Sequence, residues 1–545
     1  MKNSLYLNMD LMTITHNPGI VHHPVYHFTS PKNWMNDPCG PFFYPETQTY
    51  HLYYQYYPYG STWGNMTWGH ATSSDLLQWQ DQPISIYPSK AHNQSHVFSG
   101  MVVANGLNNL PTVFFTGTTN DPINWKIPYT KGSEKQMMGV SHDGGFTWDE
   151  INVVLESPGN YDVTGWRDPF VFQSEHMKSA FQNAILLYHS NNMKDWKPLD
   201  KPFFEEKIGV QYSKYSPKFG GNLEMASYME LSELDNTGIE PFLFAGIESD
   251  TTFHDGKTLI WQSGSISGEV GSITFLTTMC GALDYGILYA ANPFFDPKTN
   301  RTILWGWVLE NDNKPVHQEF GYSGAMATPR QLFSLLIPGI VNKDKKYDAK
   351  GNWIVSERKE IEGNEIVTLK TLGIKPIPEI STMGTKSIVL KSICNNQTKL
   401  KFQGLNSKTL MIRAHVQFKS NERLSLFVRG STDGQEITVI EYDVLTSTLS
   451  VIRQQSSLDK RFVHSDESAP FDLYDTKNGI EPLNLTILID GSIIEVFAND
   501  RFALTTRVYP TLNDSGTAGL TGSNTAHTQD LHILSDFKSA FPNRK

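Results

Sequence analysis

Short runs of β-forming residues recur along almost the whole chain, and this limits its possible folds more than any other feature. Examples are YHLYYQYYP from Tyr50, TVFFTG from Thr112, PFVFQ from Pro169, AILLYHS from Ala184 and RTILWGWV from Arg301. Gly, Asn, Asp and Pro clusters separate them at short intervals, as turns separate strands. Amphipathic helical stretches are scarce, so an all-β sandwich, barrel or propeller is expected rather than a βαβ fold. A loose repeat narrows the choice. SSDLLQW ends at Trp79, SHDGGFTW at Trp148 and HSNNMKDW at Trp196, each a polar turn that delivers a Trp into the next segment. Recurrent units of this kind favour propeller blades, because each meander needs its neighbours to cover its faces.

The chain has 545 residues, against about 250 for a large single all-β domain, so two or three domains are expected. Composition shifts after about residue 341, where the Lys-rich NKDKKYDAKGN begins at Asn342. The later runs LMIRAHVQF, RLSLFVRG, LTILIDGSIIEVFAND and FALTTRVYP alternate apolar with polar residues, as half-buried antiparallel strands do. A C-terminal β-sandwich follows.

A hydrophobic fraction of 39% supports a large core, and a net charge of −11 argues against nucleic acid or an anionic membrane as partner, since both select basic surfaces. Cys39, Cys280 and Cys394 lie far apart and match no metal-ligand spacing. The longest later apolar run, Leu332 to Val341, is broken by Ser334, Pro338 and Gly339 and is too short to span a bilayer. In MKNSLYLNMDLMTITHNPGI, polar residues interrupt each apolar stretch before it reaches the length of a signal-peptide core. A cytoplasmic location is therefore favoured, with an extracellular one as the alternative. Sequons at Asn65, Asn93, Asn300, Asn396, Asn484 and Asn513 do not establish secretion, because a chain this rich in Asn, Ser and Thr gives a similar number by chance.

Chemistry enters at WMNDPCG, where Asp37 stands between Asn36 and Pro38 in a turn-prone sequence. Alone this is an ordinary turn, but aromatic residues crowd the region: Trp34, Phe42, Phe43, Tyr44, Tyr53, Tyr54, Tyr56, Tyr57, Trp63 and Trp68. Sugar sites use such rings. Asp168 sits in GWRDPFVF beside Arg167, whose guanidinium would keep it ionised if the two side chains met; a surface ion pair is the bland reading. Glu224 lies in FGGNLEMASYMEL, with an apolar flank that would raise its pKa. The residues alone do not choose it over Glu230 and Glu233.

WMNDPCG, FSG at Phe98, WRDPFVF and the segment at Glu224 occur in the order and spacing of glycoside hydrolase family 32, and the chain resembles an invertase. YHLYYQY with Gln55, WGNMTWGHATSSDLLQW, DYG at Asp284, LWGW with Trp307 and SIIEVFANDRFALTTRVYP extend the resemblance over about residues 24–545. It implies a five-bladed β-propeller carrying the active site over 20–340, a linker over 341–360 and a β-sandwich over 361–545. It implies sucrose and fructo-oligosaccharides as substrates, no metal or cofactor, and a homodimer as one assembly. Asp37 matches the family nucleophile, Glu224 the acid/base, and Asp168 the carboxylate that binds fructose hydroxyls and steadies the transition state. Trp34, Met35, Asn36, Gln55, Trp63, Phe98, Ser99, Arg167 and Trp307 match positions lining the fructose pocket, with core packing as the bland reading. In a retaining scheme Glu224 must be protonated while Asp37 attacks, and like-charge repulsion from Asp37 and Asp168 would split the pKa values.

Two departures stand out: Cys39 where most of the family has Asn, and Met225-Ala226-Ser227 where Cys-Pro-Asp usually follows the acid. Both resemble a fungal fructosyltransferase branch, as does PINWKIPYTKGSEKQ from Pro122. Transfer of the fructosyl group to a second sugar is thus expected beside hydrolysis, with Glu248 and His254 on the acceptor side. The weighed alternatives are fructan hydrolysis of inulinase or levanase type, a related five-bladed arabinan glycosidase, a carbohydrate-binding propeller without catalysis, and a scaffold.

Overall fold

The computed structural model describes residues 22–544, except 90–93, 120–121, 162, 173–183, 235–237, 250–251, 253–255, 269–271, 311–317, 394–399, 420 and 522–524. Strand is the main element of the described chain and helix is scarce, in a five-bladed propeller followed by a sandwich of two six-stranded sheets. Blade 1 is the meander Asn33–Tyr44, Thr49–Tyr57, Thr67–Ser73 and Trp79–Ile86; blade 2 is His96–Val103, Thr112–Thr118, Glu134–Val140 and Asp149–Leu155. Among the described residues blade 3 shows two short ladders, Ala184–Ile185 with Phe204–Glu205 and Tyr188–His189 with Lys197–Pro198. Blade 4 is Asn222–Ser232, Ile239–Glu248, Lys257–Ser267 and Thr274–Asp284, and blade 5 begins with Leu288–Asp296, Arg301–Val308 and Arg330–Val341. The ring closes where Tyr322–Ser323 pairs in parallel with Asn33 and Trp34 of blade 1.

The repeated turn-plus-Trp units lead into the outer strands of blades 1 to 3, and one hydrogen-bonding pattern builds all of them. A Ser hydroxyl donates to an Asp or Asn two residues on: Ser73 to Asp75 at 3.0 Å, Ser141 to Asp143 at 2.8 Å, Ser190 to Asn192 at 3.1 Å. The acceptor side chain then collects the backbone N–H groups that follow, those of Leu77 and Gln78, of Phe146 and Thr147, and of Lys194 and Asp195. Such side-chain bonds satisfy backbone donors that a tight turn leaves open.

Around the axis the first strands of blades 1, 2, 4 and 5 pack on one another. Asn292 of blade 5 donates to the carbonyls of both Pro38 and Gly100 at 3.2 and 3.1 Å, tying three blades together at the centre.

The stretch expected as a linker, 341–360, holds a 3-10 segment, Lys343–Asp348, and most of the strand Ile354–Ile361. That strand pairs with Asn364–Pro376, which pairs with Arg330–Val341, so the sheet of blade 5 runs on through this stretch.

In the sandwich, alternate residues such as Leu410, Ile412, Leu424 and Leu426 fill one apolar interior between the sheets. Its carboxylates hold the propeller. Arg330 of blade 5 bridges Asp284 at 2.8 Å and Glu495 at 2.6 Å. Glu495 also accepts from Thr328 and lies 2.9 Å from His27, while Asp490 accepts the backbone N–H groups of Val25, Tyr26 and His27. Burial pulls the His27 imidazole down, but Asp490 and Glu495 outweigh it and push it up to about 9. For Glu495 burial acts upward, and Arg330 with His27 holds it at about 2.

Candidate active site

All five blades deliver residues to one cavity of about 450 Å3, from the start of their innermost segments. Blade 1 gives Asn36 and Asp37, blade 2 Phe98 and Ser99, blade 3 Arg167 and Asp168, blade 4 Glu224 and blade 5 Tyr289; Gln55, Trp63, His96, Pro122, Ile123, Lys257 and Trp307 complete the wall. The size suits a small-molecule site. Each inner strand breaks register beside its site residue, between Met35 and Pro38, Val97 and Gly100, Glu224 and Ser227, and Tyr289 and Asn292. A bulge bends its strand and re-aims the side chain. Left-handed backbone accompanies two of these bends, with φ of 48° at Met225 and 50° at Ala290, and Asp168, outside any strand, has φ of 61°. Such conformations cost roughly 1–3 kcal/mol each and persist where the surroundings hold them. At Met225 the turned N–H donates to Asp168 at 3.3 Å, joining blade 4 to blade 3.

Asp37 is fixed at both oxygens. Ser99 Oγ donates to Oδ2 at 2.7 Å and Asn36 Nδ2 to Oδ1 at 2.9 Å, while Asn36 is itself held by Trp34 Nε1 at 2.8 Å. Burial pushes the Asp37 carboxyl up; the bonds from Ser99 and Asn36 and the charge of Lys257 favour the anion. Asp168 is raised further, by burial and then by the negative neighbours Glu224 and Asp37, and Arg167 only partly offsets them. The expectation that Arg167 keeps Asp168 ionised is thus outweighed by desolvation. The guanidinium is engaged elsewhere, 3.0 Å from the fully buried Glu134 and 3.9 Å from Glu224.

Glu224 accepts from Asn222 Nδ2 at Oε1 and from the Tyr289 hydroxyl at Oε2, both at 3.1 Å. Its rivals are elsewhere: Glu230 is exposed and bonded by Tyr228, and Glu233 pairs with Lys370 at 3.3 Å. Besides the expected acids, two cations stand beside Glu224, Arg167 and Lys257, each at 3.9 Å. Lys257 also pairs with Glu248 at 2.9 Å. Burial acts upward on Glu248, and Lys257 and Asn222 bring it below the ordinary carboxylate value.

Of the residues read from the sequence, Asn36, Gln55, Trp63, Phe98, Ser99, Arg167 and Trp307 line the cavity with the three acids. Trp34 supports it from behind, bonding Asn36 and meeting Trp307 edge-on at 5.8 Å. Met35 is wholly buried, its sulfur against the Ser30 N–H. Glu248 sits behind Lys257, and His254 lies outside the described residues. Cys39 is buried behind Asp37, with Gln55 Nε2 at 3.8 Å from its sulfur. Asn222, Lys257, Tyr289 and Glu134 were not read from the sequence. Glu134 belongs to the run PINWKIPYTKGSEKQ and Asn222 to FGGNLEMASYMEL, and in neither does the local sequence mark the residue as part of the site.

The profile of the "Glycosyl hydrolases family 32 N-terminal domain" matches residues 27–346, and that of "Glycosyl hydrolases family 32 C terminal" matches 380–535. A β-fructofuranosidase, insoluble isoenzyme 3, of Oryza sativa is 25% identical over 531 residues, covering 89% of this chain and 85% of its own. A fructan 6-exohydrolase of Beta vulgaris is 27% identical over 558 residues, covering 93% and 85%. Among solved structures, a β-fructofuranosidase of Aspergillus kawachii complexed with glycerol superposes with a TM-score of 0.85 at 25% identity, over 97% of this chain and 98% of its own. A fructosyltransferase of A. japonicus shares the fold, with a TM-score of 0.81 at 23% identity over 96% of each chain. With both domain profiles matched in order and the architecture shared from end to end, this chain belongs to glycoside hydrolase family 32.

Proposed function

We propose that the chain is a retaining β-fructofuranosidase that cleaves sucrose and related β-fructosides through a covalent fructosyl-enzyme, and that passes part of the fructosyl groups to a second sugar. The observation that carries this reading is the convergence of Asp37, Asp168 and Glu224, from three different blades, on one cavity with each carboxyl held differently. Asp37, oriented at both oxygens, is the nucleophile that attacks the fructose anomeric carbon. As the glycosidic bond breaks, its electron pair stays on the leaving oxygen, which takes the proton of Glu224. In the second half, the Glu224 carboxylate removes a proton from water or a sugar hydroxyl, whose oxygen attacks the same carbon and frees Asp37. Two inversions give retention. Asp168 receives fructose hydroxyls, and the negative charge of ionised Asp37 favours the oxocarbenium-like transition state over the neutral substrate. The relatives include fructan hydrolases as well as β-fructofuranosidases, so fructan hydrolysis by the same acids is the second reading.

The test is a time course with concentrated sucrose, resolving glucose, fructose and trisaccharide, with Asp37→Ala alongside. Glucose in excess of free fructose, with new trisaccharide, is the expected result. Equal glucose and fructose would remove the transfer step. No release above the Asp37→Ala control would overturn the reading for sucrose.

A further inference from the structure

The two oxygens of Glu224 are held by groups that share one support. Asn222 uses its amide nitrogen twice, donating to Glu224 Oε1 and to Glu248 Oε2, both at 3.1 Å, while its own Oδ1 is buried without a partner. The amide is therefore oriented by the two carboxylates rather than by its own carbonyl. Glu248 is in turn held by Lys257 Nζ at 2.9 Å, the two residues facing each other across adjacent strands. On the other side, Tyr289 donates to Glu224 Oε2, and the face of its ring is capped by the same Lys257 ammonium at 4.3 Å from the centroid. A cation over an aromatic face is attracted by the ring's electron cloud and holds the ring in place. Lys257 thus supports both arms that aim Glu224, and it stands 3.9 Å from the carboxylate itself.

We propose that Lys257 is the positioning residue of the acid/base, holding Glu224 at the glycosidic oxygen through Glu248 and Asn222 on one side and Tyr289 on the other. The residues that follow Glu224 give it no such support: Met225 and Ala226 carry no polar side chain, and Ser227 Oγ is buried without a partner. The inference rests on Glu224 being the acid/base. A second effect reaches Asp37, whose anion Lys257 helps to favour, so removing the cation makes Asp37 harder to ionise.

The experiment compares the full chain with Lys257→Met and Lys257→Arg on two β-fructosides, sucrose and one whose leaving group departs without a proton, and records the pH profile of kcat/KM. A misaimed acid costs only the substrate that needs one. Lys257→Met is expected to lose about tenfold to a hundredfold in kcat/KM on sucrose, equivalent to roughly 1.4–2.7 kcal/mol, and less than threefold on the activated substrate. Its acid limb should move to higher pH, and Lys257→Arg should recover most of the sucrose activity. Equal losses on both substrates, or no loss on sucrose, would overturn the proposal. Glu224→Ala separates the two ideas: if that variant loses no more on sucrose than on the activated substrate, Glu224 is not the acid and the underlying reading fails first.

Discussion

At the scale of single residues, the hydroxyl of Ser99 is the contact whose removal has the clearest sign. It donates to Asp37 at 2.7 Å, and a bond to the charged form lowers a carboxyl's pKa. In Ser99→Ala, Asp37 ionises at higher pH, so the acid limb of kcat/KM should shift upward and activity on that limb should fall about tenfold, roughly 1.4 kcal/mol; a pH–rate profile checks it. A second residue pair sets acid tolerance. His51 Nδ1 lies 3.0 Å from His70 Nε2 within a stack that includes Phe42 and Tyr53, and neither remaining ring nitrogen has a partner. Burial brings His51 down to about 4 and His70 well below its ordinary value. The unfolded chain then binds protons that the folded one excludes, so stability should fall as pH drops from 6.5 toward 4. The double variant His51→Phe, His70→Phe should flatten that slope in denaturation curves across this range. Asp37 and Asp168 were legible because short, distinctive motifs carry them. Glu224 was chosen over Glu230 and Glu233 through the resemblance, because nothing in its own segment separates the three, and Lys257 needed strand register, which pairs it with Glu248 and is not written in local sequence.

At the scale of elements, the polar turns ahead of Trp79, Trp148 and Trp196 were readable because one side-chain pattern makes all three. Asp143 accepts from Ser141, from the backbone of Phe146 and Thr147 and from the Thr147 hydroxyl. Asp143→Ala should cost about 1–2 kcal/mol in a denaturant titration, since several charge-assisted bonds go at once, with little change in KM because no residue of the turn lines the cavity. Gly40 belongs to the same scale. Its φ is +46°, and a Cβ there would stand 2.7 Å from Val102 Cγ2 and 2.9 Å from its backbone nitrogen. That close approach of blade 1 to blade 2 explains the glycine that ends WMNDPCG. The extent of blade 5 was not readable. The Lys-rich stretch after Asn342 has the composition of a linker, yet the strands beyond it add to the sheet of Arg330–Val341 through backbone pairing that composition does not reveal.

At the scale of the whole molecule, two of the motifs that carried the resemblance, DYG and SIIEVFAND, serve the join between propeller and sandwich rather than the cavity. Asp284, Arg330, Glu495 and His27 form a chain of buried charges across that join. Removing one partner of such a set leaves the others uncompensated, so Glu495→Gln should destabilise the chain by roughly 3–5 kcal/mol. Its pH dependence has two edges. His27 is raised from 6.5 to about 9, so its contribution is whole below 6.5 and lost as pH rises through 9; Glu495 is lowered from 4.5 to about 2, so its contribution is whole above 4.5 and lost as pH falls through 2. Wild type should lose stability at both edges relative to Glu495→Gln in thermal melts.

The propeller held in this way brings three acids together, and in the proposed mechanism one of them, Asp37, carries the sugar. Its most direct test is mass spectrometry of peptides from the Glu224→Gln variant, quenched in acid during turnover of a β-fructoside with an activated leaving group. That variant forms the intermediate without needing an acid and lacks the base to clear it. A fructosyl ester on Asp37 is the expected result; an unmodified Asp37 in the turning-over enzyme, or the label on another carboxylate, would contradict it.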